Sequence, residues 1–362
     1  MRPTTPDLYL DHNATCPLLP AARAAILDAT DRLWANPSSP HRAGREAAAA
    51  IETARRQVAA LVGKDPRQVV FTSGATEANA LALTGMRTDE RPLVWTSAVE
   101  HPSALAWADA TIPVDRHGVI DLDALAEALA RDGERVAVLS VMAANNETGV
   151  LQPVAQAAAL ARAAGVVLHC DATQLPGRLP AAVPADLITL SAHKLGGPRG
   201  VGALIGAPSP RPLLRGGPQE RSRRAGTSNT PGILGFGAAA AHAAARSAFD
   251  PGPRDQLEAT ARRLGARILG EGAPRLPNTL SALFPQPGEL VVAALDLEGV
   301  AVSTGSACAS GASEPSHVLR AMGQEGVPVR FSLGPDTKVD VVVEILELVL
   351  RRMEGSCASS LR

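Results

Sequence analysis

The chain has 362 residues, 46% of them hydrophobic and 20% charged, and carries a formal net charge of −1. So even a balance gives no electrostatic case for a polyanionic partner, and neither direct nucleic-acid binding nor membrane association is expected. The opening MRPTTPDLYLDHNAT has no apolar signal core and no apolar run is long enough to cross a bilayer. Cys16, Cys170, Cys308 and Cys357 lie far apart without a CxxC pair, so a cytoplasmic protein with reduced thiols is expected.

The first strong helical pattern is the Ala-rich AAAAIETARRQVAALV, and strand-like RQVVFTS follows it. That strand runs into a glycine turn and a helix start, SGATEAN, with Ala75 and Thr76 at the helix N-terminus. Free N–H groups there can cradle an anion such as phosphate, or Thr72, Ser73 or Thr76 can simply cap the helix. PLVWTS is the next strand, and His101 follows it in TSAVEHPSA, either as a site imidazole or as a loop histidine. LDALAEALARD reads as a helix and RVAVLSVM as a strand, after which GVVLHCDATQ places Asp171 just past a buried strand. A carboxylate in that position can pair with a buried cation or cap a helix. DLITL and VGALI read as short buried strands around SAHK and a glycine-rich turn. Strands alternating with helices predict an α/β fold with a mostly parallel sheet.

FDPGPRDQ, residues 249–256, breaks the pattern and marks a domain boundary, giving a large domain 1–250 and a small α+β domain 251–362. In the second unit we expect a helix over 255–270, strand NTLSALF, helix ELVVAALDLEG, strand VRFSL and helix VDVVVEILELVLRRM. About the first 20 residues are expected to pack with this smaller unit.

Only three of the 35 basic residues are lysine: Lys64, Lys194 and Lys338. An amine that must lose its proton and attack a carbonyl cannot be replaced by arginine. Lys64 in LVGKDPRQ and Lys338 in GPDTKVDVVVE read as solvated surface charges. Lys194 differs, because it ends a buried strand beside glycines, where open α/β sheets place ligands. It could equally be a loop lysine reaching for water. Cys308 sits in STGSACASG, among small and hydroxylated residues that cannot bury it as a hydrophobe. The histidines show no metal-ligand spacing, so no metal site is expected. Lysine, phosphate cradle, carboxylate and imidazole in this order are what a pyridoxal phosphate (PLP) site demands.

In family order the chain carries LYLDHNAT, NPSSPHRAGREA, FTSGATEAN, VEHPS, NNETGV, HCDATQ, SAHKLGGPRG, RRAGTSN, STGSACASGASEPSHVLRAMG and VRFSLG. It resembles the cysteine desulfurases, class-V aminotransferases of PLP fold type I, and within them the long-loop group. The resemblance implies a PLP enzyme that takes sulfur from L-cysteine, leaves alanine, and passes a Cys308 persulfide to an acceptor protein. It implies that Lys194 binds PLP covalently and then moves protons. Asp171 would pair with the ring nitrogen, and His101 would stack on the ring and take part in catalysis. Gln174 would bond the phenolic oxygen with Asn146 beside it, while Ala75, Thr76, Ser191 and His193 hold the phosphate. Arg330 would take the substrate carboxylate, Asn36 would frame the substrate end, and Thr227 would reach the phosphate of a neighbouring subunit in a homodimer.

The chain departs from the family pattern at Cys16, where threonine is usual, at Pro218 and at Ala192, where glycine is usual. Its span from Cys308 to Arg330 is shorter than in the housekeeping members, and the resemblance leads us to expect no extended C-terminal tail for docking an iron–sulfur scaffold. Two other readings stay open on sequence alone: a selenocysteine lyase, aminotransferase or epimerase of the same class, and a sulfur-relay protein that is not an enzyme. The destination of the sulfur (iron–sulfur clusters, tRNA thiolation or DNA sulfur modification) is open as well.

Overall fold

The computed structural model describes residues 8–180, 183–305 and 316–359, with side chains to 354. The expected nucleophile Cys308 and the side chain of Cys357 lie outside these residues. No helix among them is long and apolar enough to cross a membrane.

Seven strands form the main sheet: β2 (Val69–Thr72), β3 (Leu93–Ser97), β4 (Ala110–Ile112), β5 (Val136–Ser140), β6 (Val167–Asp171), β7 (Leu187–Ser191) and β8 (Gly202–Gly206). Their order across the sheet is β2-β8-β7-β6-β5-β3-β4. From β4 to β7 every pairing is parallel, and β8 alone runs antiparallel to both its neighbours. Continuous apolar runs suit strands covered on both faces, and all residues of β5, β7 and β8 are buried. Helices α1 (Pro20–Arg32) and α2 (Arg42–Leu61) pack against a later helix, Thr230–Ala245. Val58, Phe71, Leu139, Ile188 and Phe236 belong to the core they share with the sheet.

A second core surrounds Leu257, Leu280, Phe331 and Leu346. It is built on the antiparallel strands β9 (Arg267–Ile268), β10 (Thr279–Leu283) and β12 (Val329–Ser332). Leu10 belongs to this core, and β1 (Leu8–Tyr9) pairs in parallel with β11 (Val300–Ala301). The helix expected over 255–270 spans only Gly252–Arg263. Gly265, at φ +80°, ends it, and residues 267–268 instead pair with Leu283 and Ala282 as β9.

Candidate active site

A cavity of about 950 Å³ opens at the carboxyl ends of β2, β6 and β7, where this sheet geometry places ligands. β2 passes through Gly74 into α3 (Ala75–Gly85). Gly74 is the N-cap and no side chain caps the helix, so the capping alternative falls away. Thr72 donates its hydroxyl to the Gly74 carbonyl instead. The first-turn N–H groups of Ala75 and Thr76, both lining the cavity, therefore have no intrahelical partner and suit an oxyanion. β8 presses close behind this turn: a side chain at Gly202 would meet Gly74 Cα at 2.7 Å and the Leu190 carbonyl at 2.8 Å. Ser191 ends β7 and His193 follows it, both lining the same cavity. Burial, helped by the charges of Lys194 and Arg199, lowers the His193 pKa to about 4, so it stands as a neutral imidazole.

Asp171 ends β6 and is 6% exposed. Its Oδ2 accepts from Asn79 Nδ2 at 2.9 Å and its Oδ1 from the Thr173 N–H at 3.0 Å. Both bonds orient the carboxylate, and neither supplies a positive charge, so a protonated ring nitrogen would complete the pair. His101 caps the short helix α4 (Pro102–Leu105), its Nδ1 accepting from the Ser103 N–H at 3.1 Å. That bond leaves the proton of the neutral ring on Nε2. Burial lowers the His101 pKa below its ordinary value, so the neutral form prevails at pH 7.

Lys194 lies in the single 3₁₀ turn Ala192–Leu195 after β7. Its Nζ donates to the Asn13 carbonyl, which also accepts from Gln174 Nε2 at 3.0 Å. Burial, then the charges of Arg178 and Arg330, brings the lysine pKa down to about 8. Arg178 is itself buried and donates to the carbonyls of Gln174 and His12. Cys16 donates its thiol to the Lys194 carbonyl at 3.0 Å, so the departure from threonine keeps a donor there. Arg330, 1% exposed, pairs with Asp11 and donates to the carbonyls of Asn146 at 3.0 Å and Gly305 at 2.8 Å. Four polar atoms of cavity-lining residues are buried with no partner: Asn13 Oδ1, Thr173 Oγ1, Gln174 Oε1 and Arg330 Nε. The phosphate cradle, the uncompensated carboxylate, the poised amine and these orphaned atoms fit PLP with an amino-acid substrate.

The fold thus brings together Ala75, Thr76, His101, Asn146, Asp171, Gln174, Ser191, His193, Lys194 and Arg330. It does not bring Asn36 or Thr227 to the cavity of their own chain. Asn36 is exposed and its Oδ1 accepts from the Ser38 N–H in a local turn. Thr227 is exposed, in a segment braced by the buried pair Arg55–Glu220 at 2.6 Å. Asn13, Asn79 and Arg178 carry no role legible from sequence, because their partners are all distant in the chain or backbone carbonyls. Glu147, His317 and Arg320 also line the cavity unforeseen.

The profile of the aminotransferase class-V family matches residues 8–344. The cysteine desulfurase of Cereibacter sphaeroides is 43% identical over 386 residues, covering 96% of this chain and 97% of that protein. A solved NifS-like protein from Rickettsia africae has a TM-score of 0.84 at 32% identity, covering 94% of this chain and 99% of its own. A structure described as SspA in complex with cysteine gives 0.80 at 29% identity, covering 91% and 99%. The chain belongs to the class-V aminotransferases, PLP enzymes of this α/β fold. Within that family it falls with the cysteine desulfurases.

Proposed function

We propose that this chain takes the sulfur of L-cysteine onto Cys308, releases L-alanine, and hands the sulfur to an acceptor protein. One observation carries the reading furthest: Lys194, Asp171, His101 and Arg330 line one cavity, and so do Gly305 and Ser316, the residues flanking the segment that holds Cys308. A structure of the related SspA with cysteine supports that amino acid as substrate.

Asn79 and Thr173 hold Asp171 in place, where its charge would keep a ring nitrogen protonated. Ala75, Thr76, Ser191 and His193 would hold the phosphate, and Gln174 and Asn146 the phenolic side. When bound, PLP supplies the electron sink that weakens bonds at the substrate α- and β-carbons. Arg330 would bind the substrate carboxylate, a task suited to a planar guanidinium. Lys194 Nζ, with a pKa of about 8, exchanges its proton near physiological pH, and neutral His101 presents its Nε2–H as a hydrogen-bond donor in the same cavity. The Cys308 thiolate attacks the substrate sulfur: the S–S bond forms as the C–S bond breaks, the bonding pair stays with carbon, and a proton from the site completes alanine.

We read the active form as a homodimer in which Thr227 serves the partner's site, supported by its exposure and its distance in the fold from its own cavity. The two cores support a division into units 1–250 and 251–362. Cytoplasmic residence is supported by the free thiols of Cys16 and Cys170.

Purified protein with PLP and L-cysteine is expected to yield alanine, and sulfide when a thiol reductant is present. Absence of alanine from cysteine together with alanine from selenocysteine would favour the lyase. Asp171→Asn keeps the shape but removes the charge. It is expected to keep PLP bound with a shifted absorption band, and to lose about 100-fold or more in turnover. Native turnover would show that another residue faces the ring nitrogen.

A further inference from the structure

Gly305 and Ser316 are the described residues on either side of the segment carrying Cys308; Ser316 bonds to the Glu147 side chain and the Gly305 backbone faces it. Glu147 is 3% exposed and lies in the turn after β5. The Asn145 side chain fixes that turn: its Oδ1 accepts from the N–H groups of Glu147 and Thr148, each at 2.9 Å, while its Nδ2 donates to the Val99 carbonyl at 3.0 Å. From this rigid base Glu147 Oε2 accepts the Ser316 hydroxyl at 2.6 Å. Ser316 in turn accepts from the Val318 N–H, and His317 Nε2 lies 2.8 Å from the Glu100 carbonyl, next to His101.

On the other side, Gly305 has φ +92°, a conformation that favours glycine. A side chain there would begin 3.5 Å from Glu147 Cβ and 3.6 Å from its Oε2, so the Gly305 backbone faces the same carboxylate. The Gly305 carbonyl is held by Arg330 at 2.8 Å, and Arg330 also holds the carbonyl of Asn146, the residue before Glu147. One flank of the Cys308 segment is therefore bonded to Glu147 through Ser316, and the other faces Glu147 while its carbonyl is held by Arg330. Burial pushes the Glu147 carboxyl up, against the Ser316 hydroxyl and the charges of His317 and Arg330.

We propose that Glu147 is a positioning residue for sulfur transfer: its carboxylate holds Ser316 and faces the Gly305 backbone, and so fixes the two described ends of the segment that carries Cys308. This inference rests on the desulfurase reading. It predicts a defect in the transfer step and not in cysteine binding, because Glu147 is assigned no contact with the substrate carboxylate or the cofactor.

The test uses PLP-loaded enzyme with Glu147→Ala, Glu147→Gln and Ser316→Ala. Cysteine affinity is read from the cofactor spectrum, and alanine formation from a single turnover at saturating cysteine. Glu147→Ala is expected to slow alanine formation by about 10- to 100-fold, the scale of an ångström-sized misplacement. Cofactor content should stay native, and cysteine affinity should change by less than about threefold. Glu147→Gln keeps an oxygen for Ser316 and should return the rate to within about threefold of native, while Ser316→Ala should be slowed as Glu147→Ala is. Native speed in Glu147→Ala, or loss of cofactor and affinity alongside the rate, overturns the positioning role, as does a Gln variant as slow as the Ala variant. Alanine release by Cys308→Ala would instead overturn the desulfurase reading beneath it.

Discussion

Lys194→Ala will fold and bind PLP only loosely, and its turnover of L-cysteine will fall by about three orders of magnitude or more. The reason lies in where the three lysines stand. Lys64 donates its amine to the Ala185 carbonyl at 2.9 Å, a structural contact where the sequence suggested a solvated charge. Lys338 is exposed just before the last helix, Val339–Ser359. Lys194 alone reaches the cavity, and there burial and two guanidinium charges bring its pKa down to about 8. At pH 7 about one such amine in ten is neutral, against fewer than about one in a thousand for an ordinary lysine. Covalent uptake of PLP by the cofactor-free protein should therefore speed up about tenfold per pH unit below 8 and level off above it, since only the neutral amine attacks. Borohydride reduction followed by mass spectrometry should place the pyridoxyl group on Lys194. A label on Lys64 or Lys338, or uptake independent of pH between 6 and 8, would overturn the assignment.

Lys194 and Asp171 were legible in the sequence because each stands at the carboxyl end of a strand, Asp171 as the last residue of β6 and Lys194 in the turn after β7, and a buried parallel strand announces itself by its apolar run. The strand end then fixes the position of the next polar side chain almost without tertiary knowledge. Asn13 and Asn79 were not legible. Asn13 matters through its carbonyl, which collects Lys194 and Gln174, and a carbonyl carries no residue signature. Asn79 is a helix residue whose partner, Asp171, is 92 positions away. Two-residue strands such as β9 escape periodicity altogether, which is why residues 267–268 read as the tail of a helix. Sequence also placed Asn36 and Thr227 in the site through family resemblance, while the single chain keeps both on its surface. The role proposed for Thr227 needs a second copy, which is information no periodicity within one chain contains.

Cys308→Ala separates sulfur chemistry from cofactor chemistry. The substitution removes the proposed nucleophile and touches neither Lys194 nor the residues assigned to the phosphate. The variant should stay yellow and should still change its spectrum on adding L-cysteine, because Arg330, Asp171 and Lys194 are intact. Alanine release should fall to below about 1% of native, since among the described residues neither Cys16 nor Cys170 is suited to accept the sulfur. Cys170 is buried in β6 and its thiol is pushed well above its ordinary pKa by burial, the reverse of what a nucleophile requires. Cys16 is raised in the same direction and spends its proton on the Lys194 carbonyl. Cys16→Ala, Cys170→Ala and Cys357→Ala are therefore expected to keep most of the activity, and an alkylating probe applied after one turnover should find the extra sulfur on Cys308. If Cys308→Ala still forms alanine from L-cysteine at a near-native rate, sulfur does not leave through a persulfide on this residue. The lyase reading would then explain the same cavity better, because a lyase needs the amine, the ring carboxylate and the arginine but no thiol.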